Sequence, residues 1–292
     1  MYLLNILFHT VNTIVSALQL SIVPIALEYQ DELIDKSIDI QYLAGNVLDI
    51  ISNFVASVLL GIVSYQFVLK LSVPIFISGL FFIYKLNLMK TPVETEEEDG
   101  AYLASLSDTF RGFFSAKKTS FVILCEAFLS GATDLLLTLL PLYLILIDVD
   151  IKWLGLVLAV QKGADFCGAM IAPYIKMLPT NFFCIDYILS GLCLLGVFIL
   201  NAPLIKLSLY FIAFVIIGIS GNFFEKLVIH SYKPESLAGI SSMIRTSYAL
   251  FGILFMALPL VYQNIVVMGI AFNILTVLFG VVLLFWKFTK DY

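Results

Sequence analysis

The chain has 292 residues, of which 61% are apolar and 13% charged, with a formal net charge of −5. Soluble domains carry roughly 45–50% apolar and about 25% charged residues, so a soluble globular domain and a disordered chain are both excluded. Four cysteines in apolar runs exclude a disulfide scaffold, and the acidic balance without a basic stripe excludes nucleic acid as a partner. What remains is an all-α polytopic membrane protein, with the lipid bilayer as its first partner.

About 20 apolar residues are needed to cross the hydrocarbon of a bilayer. Nine runs meet that length: 3–27, 43–64, 67–86, 120–147, 153–175, 182–200, 204–229, 240–262 and 264–287. Short punctuation at Leu178-Pro179-Thr180, Asn201-Ala202-Pro203 and Tyr262-Gln263-Asn264 predicts tight hairpins, with neighbouring spans packed antiparallel. Alternating the loops between two faces puts twelve Lys and Arg on one face, three on the other, and Lys162 inside a span. The positive-inside rule then predicts a cytoplasmic C-terminus and an outer N-terminus.

One loop interrupts the runs. Residues 87–119 hold the acidic stretch Glu94 to Asp99, read as a solvated linker, and then Ala101–Ser115. There Leu103, Leu106, Phe110, Phe113 and Phe114 recur at helical spacing opposite Ser107, Asp108 and Arg111, which predicts an amphipathic helix lying on the inner surface. The chain thus divides into 1–86 with three spans, 87–119, and 120–292 with six.

Ionisable groups inside a span cost ~2.5–3.5 kcal/mol on insertion scales and call for a reason. Asp134 lies at the midpoint of 120–147, and Lys162 and Asp165 straddle the midpoint of 153–175. Glu126 and Asp49 lie about two turns in from the same membrane face. A midplane cluster of Asp134, Lys162 and Asp165 follows if their helix faces meet. It reads either as a proton or substrate relay or as a salt bridge fixing two helices. Asn46, Asp49 and Asn53 share a face that either lines a cavity or bonds a neighbouring helix. Arg245 is expected to snorkel or to meet Glu235. Small residues at Gly155, Ala159 and Gly163, and at Ala164, Gly168 and Ala172, form two helix-packing ladders. His9 and His230 are lone, so no metal is expected. The chain contains no Gly-x-x-x-x-Gly-Lys loop and no intramembrane protease motif, so neither an enzyme nor a bound cofactor is expected.

Three spans, a cytoplasmic loop and six spans resemble a major facilitator superfamily transporter lacking its first three helices. Pro24-Ile25-Ala26-Leu27, the stretch Tyr29–Ile40 and Ala44-Gly45-Asn46 are similar to the passage from the fourth to the fifth helix of drug and siderophore exporters. Gly218, Gly221 and Asn222, the loop Pro234 to Gly239, and Ser241-Ser242-Met243-Ile244-Arg245-Thr246 are similar to the tenth-to-eleventh connection of macrolide-efflux and enterobactin-exporter relatives. The resemblance implies a multi-pass protein of the bacterial plasma membrane that expels a hydrophobic small molecule in exchange for protons. Asp134 would carry the proton, Lys162 and Asp165 would be its electrostatic partners, and Asn53 would touch substrate. Two alternatives stay open: a non-transporting immunity, sensory or assembly factor, and a homo-oligomer or helper subunit of a larger complex.

Overall fold

A computed structural model describes residues 23–62, 67, 70, 74, 101–150, 153–233 and 236–288; the side chains of Asp49, of 52–62, of 101–106 and of 287–288 are outside that description. All regular structure among these residues is helical. We number the helices α1 (Asp31–Ile62), α2 (Ala101–Ser115), α3 (Lys117–Thr138), α4 (Leu140–Leu146), α5 (Leu154–Ile171), α6 (Pro179–Ile199), α7 (Pro203–Ser231), α8 (Leu237–Ala257) and α9 (Ile265–Phe288). Six of them, α3 and α5 to α9, are long and apolar enough to cross a membrane, with short 3₁₀ turns extending α5 and α8. They carry the six expected spans after residue 119. Nearly all of the run 67–86, the acidic stretch Glu94 to Asp99 and most of the run 3–27 lie outside the described residues. Large apolar side chains such as Leu204, Leu250, Ile253, Leu254 and Phe285 point outward, as a bilayer-embedded bundle requires.

The helices begin and break where the sequence supplies a reason. Pro179 and Pro203 open α6 and α7, where a missing N–H costs nothing. The expected span 120–147 is two helices. Pro141 cannot donate to the carbonyl of Leu137, and the rod breaks at Leu139 before resuming as α4. The acidic stretch after Tyr29, expected as a loop, is instead the start of α1. Asp31 and Glu32 sit in its first turn, favourable to the helix dipole, and Lys36 pairs with Glu32 one turn away at 2.7 Å. Ile34 and Ile38 give that extension a buried seam against Ile229.

The helices do not simply pack in chain order. α9 lies along α6, α6 along α7, α7 along α5, and α8 along α3. Of the three expected hairpins, only that at Asn201 to Pro203 joins helices packed along their length. α5 and α6, like α8 and α9, are joined by short turns but take other partners.

Counted in order, the first of the six spans pairs with the fifth, the second with the fourth, and the third with the sixth. Exchanging the two triplets turns the first pair into the second and leaves the third unchanged. With three helices in each triplet, a chain that crosses at every span runs the second triplet in the opposite direction to the first. The α6–α7 contact is closer than its counterpart α9–α3.

Small residues set the tightest crossing. Ala164, Gly168 and Ala172 are buried against α7, where a Cβ on Gly168 would stand 2.8 Å from the Ile219 nitrogen. Gly218 answers from the other side, 2.6 Å from the Asp165 carbonyl oxygen by the same construction. The second ladder differs: Gly155 and Gly163 face open space among the described residues. An aromatic seam joins α3 to α8 and α9, with Phe128 edge-on to Phe255 at 4.9 Å and Phe255 edge-on to Phe272 at 5.0 Å.

The amphipathic segment forms helix α2, and its apolar face does more than lie flat. Phe113 is buried among Ile123, Val228, Tyr232, Leu237 and Ile240, whereas Phe110 and Phe114 are exposed. The Tyr232 hydroxyl donates to the Phe113 carbonyl at 3.0 Å, and Ser120 donates to that oxygen as well. These bonds secure the end of α2 to the bundle.

Candidate functional site

The polar interior lies toward the end of the bundle where α3 and α6 begin and α7 ends. Asp186, two turns into α6, is only 3% exposed. Its Oδ2 accepts from the Ser220 hydroxyl of α7 at 2.5 Å, while Oδ1 meets no donor among the described residues. Glu126 of α3, at similar depth, is partly buried beside Tyr187, the neighbour of Asp186; the Tyr187 hydroxyl donates to the Val122 carbonyl of α3 at 3.5 Å. Asp165 of α5 and Glu225 of α7, with Glu126, act electrostatically on the Tyr42 hydroxyl of α1. Tyr42 fits there because position 221 is glycine: a Cβ would stand 2.6 Å from Tyr42 Cζ. Carboxyl groups from four helices, Glu126, Asp165, Asp186 and Glu225, therefore share this part of the bundle with Tyr42 and Tyr187.

A second set of charges fastens α1 to α7. Asp31, Asp35 and Asp39 recur every fourth residue on α1, and Asn222, Lys226 and His230 do so on α7, so each triplet forms one stripe. Lys226 Nζ lies 2.5 Å from Asp39 Oδ1, with side-chain exposures of 12% and 19%. Asn222, fully buried, donates to the same oxygen at 2.8 Å. His230 Nε2 meets Asp35 at 2.8 Å, and Nδ1 lies 3.7 Å from Asp31. The His230 hydrogen bond holds the Asp35 carboxyl below the usual carboxylate range.

A depressed folded-state value contributes stability above the unfolded pKa, and that stability is lost as pH falls through the folded value. Lowering the pH from about 5 to about 3, through the usual aspartate range, should therefore loosen the start of α1. Hydrogen exchange of amides 31–41, corrected for intrinsic rate, should accelerate over that window. The acceleration should be smaller in Asp35→Asn; an unchanged profile would rule out this contribution.

The residues expected from sequence are dispersed. α3 packs on α8 and α5 on α7, so Asp134 and Lys162, both exposed, stand on helices that share no extended interface. The midplane trio does not assemble. Lys162 acts instead on its own-helix neighbour Asp165, which faces Tyr42 and Tyr210. Of the six candidates, Glu126 and Asp165 belong to the buried constellation. Asp49 and Asn53 fall on α1, but their side chains lie outside the described residues. The same is true of Glu235, the expected partner of Arg245. Asn46 donates to the Tyr42 carbonyl at 2.9 Å within its own helix.

Sequence reasoning missed Asp186, Ser220, Asp39, Lys226 and Tyr42. Asp186 and Lys226 lie near the ends of apolar runs, where charges are ordinarily solvated. The available signal was the four-residue spacing of Asp31, Asp35 and Asp39 and of Asn222, Lys226 and His230. No family model, curated protein or solved structure matches the chain.

Proposed function

We propose that this protein is a major-facilitator-type transporter that moves a hydrophobic small molecule across the membrane in exchange for protons, with Asp186 and Glu126 as the proton-carrying groups. The observation that carries this reading is the pair of carboxyl groups on α6 and α3 in the bundle interior, one with an oxygen that meets no donor. An ionised carboxylate taken out of water without a cation beside it costs several kcal/mol. A carboxyl group in such a place is neutral when dry and ionises when water reaches it, so its protonation can follow access. Asp165 and Glu225, beside Tyr42, extend the polar track toward α1. The order in which the spans pair, which exchange of the two triplets preserves, supports the reading, since transporter halves are commonly built from inverted repeats. Asp134 and Lys162, exposed on neighbouring spans, remain candidate contacts for substrate or for helices of the 1–86 region.

A second reading is a membrane protein that does not transport, serving as an immunity, sensory or assembly factor. The α1–α7 stripe favours it, because moving α1 against α7 would break a buried ion pair.

Flux decides between them. Purified protein in liposomes with an imposed pH gradient should expel a lipophilic dye faster than empty liposomes do. Asp186→Asn should abolish the proton-driven part while leaving the thermal transition in place. Flux no higher than in empty liposomes would sink the transport reading.

A further inference from the structure

At the opposite end of the bundle lies an open cavity of about 650 Å³, lined by residues of α3, α4, α5, α6, α7 and α9. That volume is within the ~300–1,000 Å³ typical of small-molecule sites. Its wall is apolar and aromatic, with Leu136, Val157, Phe198 and Trp153 among the lining residues. Lys206, in the first turn of α7, is the one cation among the described lining residues.

The position of Lys206 is built. Its Nζ donates to the Tyr143 hydroxyl at 3.0 Å and lies 5.4 Å from the centre of the Tyr143 ring. Tyr143 is itself buried, and its hydroxyl donates onward to the Val197 carbonyl at 3.0 Å, which fixes the ring. An ammonium group has three donors, and one finds an acceptor among the described residues. No carboxylate among the described residues pairs with Lys206. Asp148 and Asp150 also line the cavity but are exposed at its rim, in the loop after α4. Tyr210 is engaged elsewhere, donating to Gln161 at 3.1 Å.

A half-buried ammonium with one neutral acceptor, at the wall of an apolar cavity, is complementary to an anion that carries its own apolar body. We infer that this cavity binds an anionic amphiphile, with its carboxylate or phosphate head on Lys206 and its chain against the apolar wall. The head could belong to a free single-chain acid or to a two-chain membrane lipid; the chemistry is the same. The inference does not rest on the transport reading, since it concerns binding alone.

Trp153 lines the cavity and is one of two tryptophans. The test uses full-length protein with Trp286→Phe in nanodiscs of zwitterionic lipid, so that Trp153 is the sole reporter. Dibromostearate should quench its fluorescence saturably, beyond the baseline set by dibromostearate methyl ester. Lys206→Gln should raise the half-saturating concentration about tenfold or more, the scale of one charge-assisted hydrogen bond; Lys206→Arg should largely preserve it.

Saturable quenching by brominated phosphatidate alone would assign the site to a membrane lipid, and by stearate alone to a free acid; either upholds the anionic head. Equal quenching by acid and ester would overturn the inference without need of a Lys206 variant. So would saturation by a brominated alkylammonium in place of the acid, or an unchanged titration in a folded Lys206→Gln protein.

Discussion

Asp39→Ala should destabilise the protein by about 3–5 kcal/mol, the range for removing one partner of a buried ion pair. The loss exceeds that of an ordinary surface bridge because Lys226 keeps its charge with 12% of its side chain exposed. Asn222 would lose its acceptor at the same time, leaving a fully buried amide donor unpaired. Asp39→Asn with Lys226→Gln removes both charges and keeps the volumes, and should recover most of the stability. Thermal unfolding of the detergent-purified variants, followed by size-exclusion recovery, measures the difference. If the single variant unfolds with the parent, α1 is not held to α7 through this pair.

The second large effect is expected at Gly218. A Cβ at that position stands 2.6 Å from the Asp165 carbonyl oxygen and 2.9 Å from its Cα, and both are backbone atoms that no rotamer change can move. Gly218→Val should therefore push α7 off α5, with an overpacking cost of about 1–3 kcal/mol or more. Gly163→Val, one helix away, meets nothing within 4 Å and should be tolerated. Comparing the two by thermal unfolding separates a true backbone crossing from a general intolerance of bulk in glycine-rich spans. Equal behaviour would contradict the crossing.

These two positions mark what could be read in the sequence and what could not. Apolar runs of about 20 residues are a one-dimensional signal, and six of them became helices within a few residues of the expected ends. The amphipathic period of Ala101–Ser115 was equally local and gave a helix. The ladder Ala164, Gly168 and Ala172 was visible as a packing surface, but its partner Gly218 was not. Nor did the sequence distinguish it from Gly155, Ala159 and Gly163, which have the same spacing and face open space.

The candidate site was harder to read because it depends on register between distant helices. Asp186 and Ser220 are 34 residues apart, and Asp39 and Lys226 are 187 apart. Midpoint depth drew attention to Asp134, yet the direction a side chain faces depends on which helix is its neighbour. Short turns suggested chain-order pairing, and the bundle pairs its spans otherwise. Glu126 and Asp165 were found because buried acids are conspicuous in apolar runs; Asp186 was obscured by its nearness to the end of one.

The order in which the six spans pair is unchanged when the two triplets are exchanged, so it does not by itself distinguish one end of the bundle from the other. Polarity must then come from side chains, and here the two ends are chemically opposite. One holds the buried carboxyl groups and the Asp39–Lys226 clamp; the other holds an apolar chamber with one ammonium at its wall and Asp148 and Asp150 exposed at its rim. Matching loops of the triplets bear the same demand. The turn after α5 carries Lys176, whereas its counterpart after α8, Tyr262-Gln263-Asn264, carries no charge. Handedness of function is thus written on this scaffold by a small number of charged side chains.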